Sequence, residues 1–203
     1  MKKKKYSIIV PAYNVENYLA AITAVWGDVP HEAICQVAKN FGGVPHRAEL
    51  VRVLDGVSYY NDSIGTSPTR TANGTLQLYD RKIILIAGGY DKQIPYDTLG
   101  PIIMDKVKTL ILMGATADKI EAAVKAAPNY CEQEIVILHA NSMEKAVALA
   151  KEQAQKGDIV SLSPASASFD LYPNFEARGN HFKNIVNISS DMHLSLVFSH
   201  SRL

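Results

Sequence analysis

The chain has 203 residues, 47% hydrophobic and 20% charged, with a formal net charge of +1. That balance belongs to an ordinary globular protein able to enclose a core, and it supplies no global field for nucleic acid or an anionic membrane. Cys35 and Cys131 are far apart and lack metal-type spacing, which predicts free thiols and a cytoplasmic setting.

The basic run Lys2–Lys5 reads as a solvated tail. Ile8–Val10 ends at Pro11, too short for a signal-peptide core, and no run reaches the roughly 20 apolar residues of a membrane span. Tyr6–Asn14 predicts a strand leaving into a turn. Val15–Trp26 and His31–Phe41 predict two helices separated by Gly27 and Pro30, the second stopped by Gly42-Gly43. Ala48–Leu54 and Val57–Asn61 flank Asp55-Gly56, a hairpin signature. A polar loop, Asn61–Thr69, follows, with a helix start near Ser67-Pro68.

From there strands and helices alternate. Strands are predicted at Lys82–Ala87, Lys108–Met113, Ile135–His139 and Asp158–Leu162. Helices are predicted at Thr98–Asp105, Thr116–Ala127 with Thr116 as cap, and Ser142–Lys156. Continuous apolar strands between helices predict an α/β fold: a mostly parallel sheet with helices on both faces and an antiparallel hairpin at one edge. A last helix places Phe175, Phe182 and Val186 near one face, with Arg178 and Lys183 elsewhere. The final residues, 188–203, read as a tail, with His193–Phe198 as a stray strand. His139 and His181 read as ordinary polar positions.

Ser161–Asp170 organises the chain: an apolar strand stops at Pro164 and opens into small hydroxylated residues before a helix. In open α/β sheets, ligands sit beyond such strand ends. The string from Ser163 to Phe182, SPASASFDLYPNFEARGNHF, resembles the end of the Mur ligase family, and the resemblance recurs from about Asn14 to Asn187. It implies a Rossmann-like C-terminal domain of an ATP-dependent ligase that adds D-glutamate to a UDP-linked muramoyl-alanine in peptidoglycan synthesis. Tyr6–Asn14 instead resembles the opening of family 2 glycosyltransferases, but no Asp-x-Asp follows to hold a metal against a diphosphate. The two resemblances overlap near Asn14–Ala20. They suggest a join, which gene rearrangement, an assembly error or a genuine fusion would each produce. The expected parts are a transferase-like segment at 1–13, linking helices at 14–43, the ligase C-terminal domain at 44–187 and a tail at 188–203.

The resemblance implies a D-glutamate site made of Lys92, Thr66, Ser168, Phe169 and Phe175, and a nucleotide edge made of Asn14, Asn17, Arg47 and Asp62. Lys92 follows Gly88-Gly89, where the backbone turns tightly. Ser168 offers a hydroxyl to a carboxylate, and aromatic rings enclose methylenes. Arg47 suits a phosphate through its fork of donors. Plainer alternatives stand beside these: a surface lysine at Lys92, a helix cap at Ser168, a core ring at Phe175, an Arg47–Asp62 salt bridge. Two departures from the family matter. Tyr13 stands where the family has histidine, and Ile64 where its D-glutamate enzymes often carry lysine. The family's cofactors are ATP and Mg, but no Gly-x-x-x-x-Gly-Lys-Ser/Thr occurs in this chain. The expected partners are therefore D-glutamate, ATP edge contacts and ligase domains on another polypeptide, with no turnover by this chain alone. The other readings are a folded non-catalytic or partner-binding module and, less favoured, a glycosyltransferase.

Overall fold

The structure, a computed structural model, describes residues 15–188. The strand expected at Tyr6–Asn14 and the readings of the final tail beyond Ile188 lie outside the described residues, as does Asn14. The chain divides into two compact units at residues 43/44. In the first, α1 (Val15–Ala24) and α2 (His31–Asn40) are separate helices, and Trp26 stacks on His31 with ring centroids 4.4 Å apart. Helix α2 carries Glu32 in its first turn and Lys39 in its last, each complementing the helix dipole.

The second unit begins with a hairpin of β1 (Glu49–Leu54) and β2 (Val57–Asn61). Asp55 (φ 53°) and Gly56 (φ 79°) form its turn. Both are left-handed, which matches the twist of the strands they join. There follow α3 (Pro68–Asn73), β3 (Ile83–Ala87), α4 (Leu99–Lys106), β4 (Val107–Leu112), α5 (Ala117–Lys125), β5 (Val136–His139), α6 (Met143–Gln153), β6 (Ile159–Leu162) and α7 (Phe175–Ile188). Polar side chains cap two helix starts: Ser67 Oγ accepts from Arg70 N–H and Ser142 Oγ from Lys145 N–H.

The strand order is β1-β2-β6-β3-β4-β5, parallel except for the hairpin. The sheet is thus α/β, mostly parallel, with an antiparallel edge. Residue period two sorts β3 between two cores. Ile83, Leu85 and Ala87 join Leu76, Leu99, Ile103, Ile120 and Val124 on one face. Ile84 and Ile86 join Met143, Val147, Phe182 and Val186 on the other. All five β3 residues are buried, and each full burial of an Ile or Leu is worth about 1.5–3 kcal/mol.

This order creates a reversal between β3 and β6. After β3 the chain leads to α4, on the first face; after β6 it leads to α7, on the second. Loops leaving adjacent strands in opposite directions open a crevice at their carboxyl ends. The loop after β2 borders the same crevice, since β2 runs parallel to β6.

One expectation on α7 is corrected. Arg178 is not on an outer face: with Phe182 and Val186 it forms the i, i+4, i+8 stripe that is buried, while Phe175 is half-buried.

Candidate functional site

Three loops meet at the carboxyl edge of β2, β6 and β3. The first, Asp62–Ser67, opens on a carboxylate with no solvent exposure. Asp62 Oδ1 accepts from Ala48 N–H (3.1 Å) and Arg70 Nη2 (3.0 Å); Oδ2 accepts from Ser163 Oγ (3.0 Å) and Thr75 Oγ1. A buried carboxylate is tolerable because all these donors surround it. The structure therefore settles the salt-bridge alternative differently: the arginine paired with Asp62 is Arg70, and Arg47 is exposed on the neighbouring corner. The nucleotide contact expected of Asp62 meets a fully enclosed carboxylate that serves the interior.

The corner carrying Arg47 is strained on both sides. His46 (φ 63°) and Ala48 (φ 45°) are both left-handed, a conformation that costs a side-chain-bearing residue of order 1 kcal/mol. Several bonds hold it. His46 N–H donates to Glu49 Oε2 (2.9 Å), its carbonyl accepts from Ile64 N–H (3.2 Å), and its Nδ1 lies 2.9 Å from Asn61 Nδ2. The Phe175 ring meets the imidazole edge-on at 5.9 Å. Burial, reinforced by Lys183, lowers the His46 pKa, so near neutral pH Nδ1 is free to accept from the Asn61 amide. Gly179 of α7 makes room for this ring, since a Cβ there would sit 2.2 Å from His46 Nδ1.

The second loop follows β3. Gly89 (φ 148°) passes so close to the third loop that a Cβ would lie 2.2 Å from the Ala167 carbonyl oxygen. Its N–H donates to Thr116 Oγ1 (3.0 Å), and Thr116 Oγ1 shares a hydrogen with Ser166 Oγ (2.8 Å). This corrects the reading of Thr116 as a cap: its side chain makes no capping bond to α5 because it ties two loops together instead. Asp91 bonds Gln93 N–H (2.8 Å) and pairs with Lys119 of α5. The Lys119 bond, chief among its causes, holds its carboxyl below the usual range. Lys92, exposed at the tip, reaches the first loop: Nζ donates to the Thr66 carbonyl (3.1 Å) and lies 3.3 Å from Thr66 Oγ1.

The third loop, Ser163–Asn174, turns at Ala165, left-handed at φ 56°. Ser168 is buried, and its carbonyl accepts from Leu171 and Tyr172 N–H. It does not cap α7; Asn174 does, with Oδ1 accepting from Ala177 N–H at 2.7 Å. Phe169 is 65% exposed and meets Tyr90 edge-on at 5.9 Å, forming an aromatic rim. The Phe175 carbonyl accepts from Ser63 Oγ at 2.8 Å.

The predicted residues are thus drawn toward one edge. Lys92 bonds Thr66 in the first loop, Phe175 bonds Ser63 in the same loop, and the Tyr90–Ala167 bridge brings Ser168 and Phe169 beside the Lys92 loop. Arg47 occupies the adjoining His46 corner. Asn17 lies in α1, in the other unit, and its side chain is not among those described. His139 and His181 are paired surface groups: His139 Nε2 lies 2.7 Å from Glu121, and His181 lies 2.9 Å from Glu144 and 2.8 Å from Tyr172 Oη. Among the described residues, Asp118, Glu121 and His139 form the one convergence of metal-type ligands. Glu121 there already holds Lys125, and the cluster includes none of the residues read as a nucleotide edge. Those residues include one acid, the enclosed Asp62, so they offer Mg no fitting donor set.

Residues 46–166 match the family described as Mur ligase, glutamate ligase domain. The chain belongs to the Mur ligase family. Among its relatives, the UDP-N-acetylmuramoylalanine--D-glutamate ligase of Clostridium botulinum (strain Okra / Type B1) is 54% identical over 177 residues, covering 86% of this chain and 38% of the relative. The enzyme of the same name from Clostridium acetobutylicum is 56% identical over 176 residues, 86% of this chain and 37% of the relative. That of Acetivibrio thermocellus is 53% identical over 187 residues, 91% and 40%. This Mur ligase chain therefore spans about two fifths of the length of the curated relatives it matches. Among solved structures, E. coli FolC in complex with ADP superposes with a TM-score of 0.60 at 17% identity, covering 90% of this chain and 41% of that one, a likeness of fold alone.

Arg178 was the residue that sequence reading missed. Its signal was present: Arg178, Phe182 and Val186 are spaced by four, and a charged residue on an apolar stripe points to a buried partner set.

Proposed function

We propose that the chain is the amino-acid-binding part of a ligase that adds D-glutamate to UDP-N-acetylmuramoyl-L-alanine in peptidoglycan synthesis in the cytoplasm. In this reading Lys92 pairs with one carboxylate of D-glutamate, Thr66 and Ser168 donate hydroxyl hydrogens, and Phe169 and Phe175 enclose its methylenes. Arg47 faces a phosphate of ATP, while Asp62 holds the Ala48 N–H and Arg70 behind that corner. The observation that carries the reading is the Lys92–Thr66 bond, which puts a cation and a hydroxyl from two different strand ends side by side.

Amide formation needs the acceptor carboxylate activated as an acyl phosphate and the amine held in line with it. This chain supplies the second requirement. ATP phosphates need a cradle of N–H donors and a metal, and the sequence has no P-loop to provide it. In this reading ATP and Mg enter through further ligase domains that these 203 residues do not include, with Arg47 facing them.

Millimolar D-glutamate should raise the melting temperature and shift amide resonances around Lys92 and Ser168. Silence in both measurements would refute the pocket. The purified chain should form no product from D-glutamate and ATP, and should restore activity when mixed with the remaining domains of a relative. No rescue despite D-glutamate binding would favour a non-catalytic binding module.

A further inference from the structure

Arg178 is 2% exposed and bonded on every side by neutral oxygens. Nε donates to Ser63 Oγ (3.0 Å), Nη2 to the Ser63 carbonyl (2.9 Å), and Nη1 to the carbonyls of Ser166 (3.1 Å) and Ala167 (2.9 Å). Among the described residues no carboxylate lies within ion-pair distance. Asp170 and the Tyr172 phenol act on it only through space, and burial brings its pKa down to about 10, so it stays charged at neutral pH. A buried cation without a counter-ion is costly. The same Ala167 oxygen also accepts from Tyr90 N–H at 2.9 Å, so one carbonyl joins the guanidinium to the loop that carries Lys92. The loops after β2, β3 and β6 contain a single cation of their own, Lys92, whereas a dicarboxylic amine donor brings two negative charges.

We propose that Arg178 is the positioning residue of the amino-acid site and its second positive charge. It holds the Ser63 and Ser166–Ala167 backbones in register, so that Thr66 and Ser168 face one ligand, and its uncompensated charge favours a donor with two carboxylates over one with a single carboxylate. This rests on the D-glutamate reading above.

The test titrates the chain, its Arg178→Lys variant and its Arg178→Gln variant with D-glutamate and with D-glutamine, whose side chain is an uncharged isostere, following binding by NMR. The unaltered chain should prefer D-glutamate. Arg178→Gln should lower that preference about tenfold, the size expected for a charge acting across roughly 10 Å of protein. Arg178→Lys should keep the preference while binding both ligands more weakly, because an ammonium lacks the fork that sets the loops. A folded Arg178→Gln with undiminished preference overturns the proposal. Should that variant not fold, the unaltered chain decides: the Arg178 Nε–Hε resonance should shift with saturating D-glutamate and stay in place with D-glutamine, and equal responses overturn the proposal. Absence of D-glutamate binding by the unaltered chain would instead fell the D-glutamate reading, and this proposal with it.

Discussion

The two buried regions of the sheet differ in kind. Along its middle, β3 and β4 are covered on both faces by hydrocarbon: the side chains of Ile84, Ile86, Ile111 and Phe182 carry no hydrogen-bonding groups. At its carboxyl edge, residues just as deeply buried are hydroxyls, an aspartate and a guanidinium: Asp62, Ser63, Thr75, Ser163, Ser166 and Arg178. Hydrocarbon burial favours compaction but tolerates adjustment, because packing contacts are not directional. A polar cluster adds little net stability once desolvation is subtracted, yet each bond fixes an angle. The middle holds the fold together, and the edge decides where Lys92, Thr66 and Ser168 stand.

Truncation in the middle should be the most damaging change. Phe182→Ala should cost about 3–5 kcal/mol in a urea melt, with D-glutamate binding surviving in whatever fraction stays folded; a cost below about 1 kcal/mol would break the comparison. Asp62→Ala at the edge strands Arg70, Thr75, Ser163 and the Ala48 N–H. It should cost about 3 kcal/mol, and the resonances of the Arg47 corner should broaden with it. Unchanged resonances there would mean that the edge is not one network.

Mild acidification should act on the edge through His46. The folded-state pKa of His46 lies below its ordinary value, with burial the leading cause, so the unfolded chain binds the proton more readily. The resulting stability is present above about pH 6.5 and is lost as the pH falls from there toward the folded value. Melting temperatures should decline over that window and the decline should be smaller in His46→Gln; parallel curves would remove His46 from the account. Lys92→Ala should be the mildest for the fold, within about 0.5 kcal/mol, because the side chain is exposed. It should nevertheless weaken D-glutamate binding in an NMR titration, and intact affinity would shift the site away from this loop.

The middle was legible in the sequence because its signals are periodic. Unbroken apolar runs such as Ile83–Ala87 and the Asp-Gly turn named the strands to within a residue or two. The edge was legible in its residues but not in its bonds. Loop hydroxyls carry no period, so nothing in the chain announces that Thr116 leaves its helix start for Gly89, or that Asp62 takes Arg70 instead of Arg47. Both choices depend on backbones from distant stretches arriving together. Arg178 was obscured by the habit of placing charge outward, although its spacing from Phe182 and Val186 said otherwise.

The missing side chain at Gly179 has a reach beyond its own helix. The notch it leaves in α7 receives the His46 imidazole, and His46 is the residue directly before Arg47. A single methyl added at 179 would therefore evict a ring across the gap and re-aim the guanidinium next to it, without touching any group read as contacting a ligand. The direction in which Arg47 points is written on a helix more than 130 residues further along the chain.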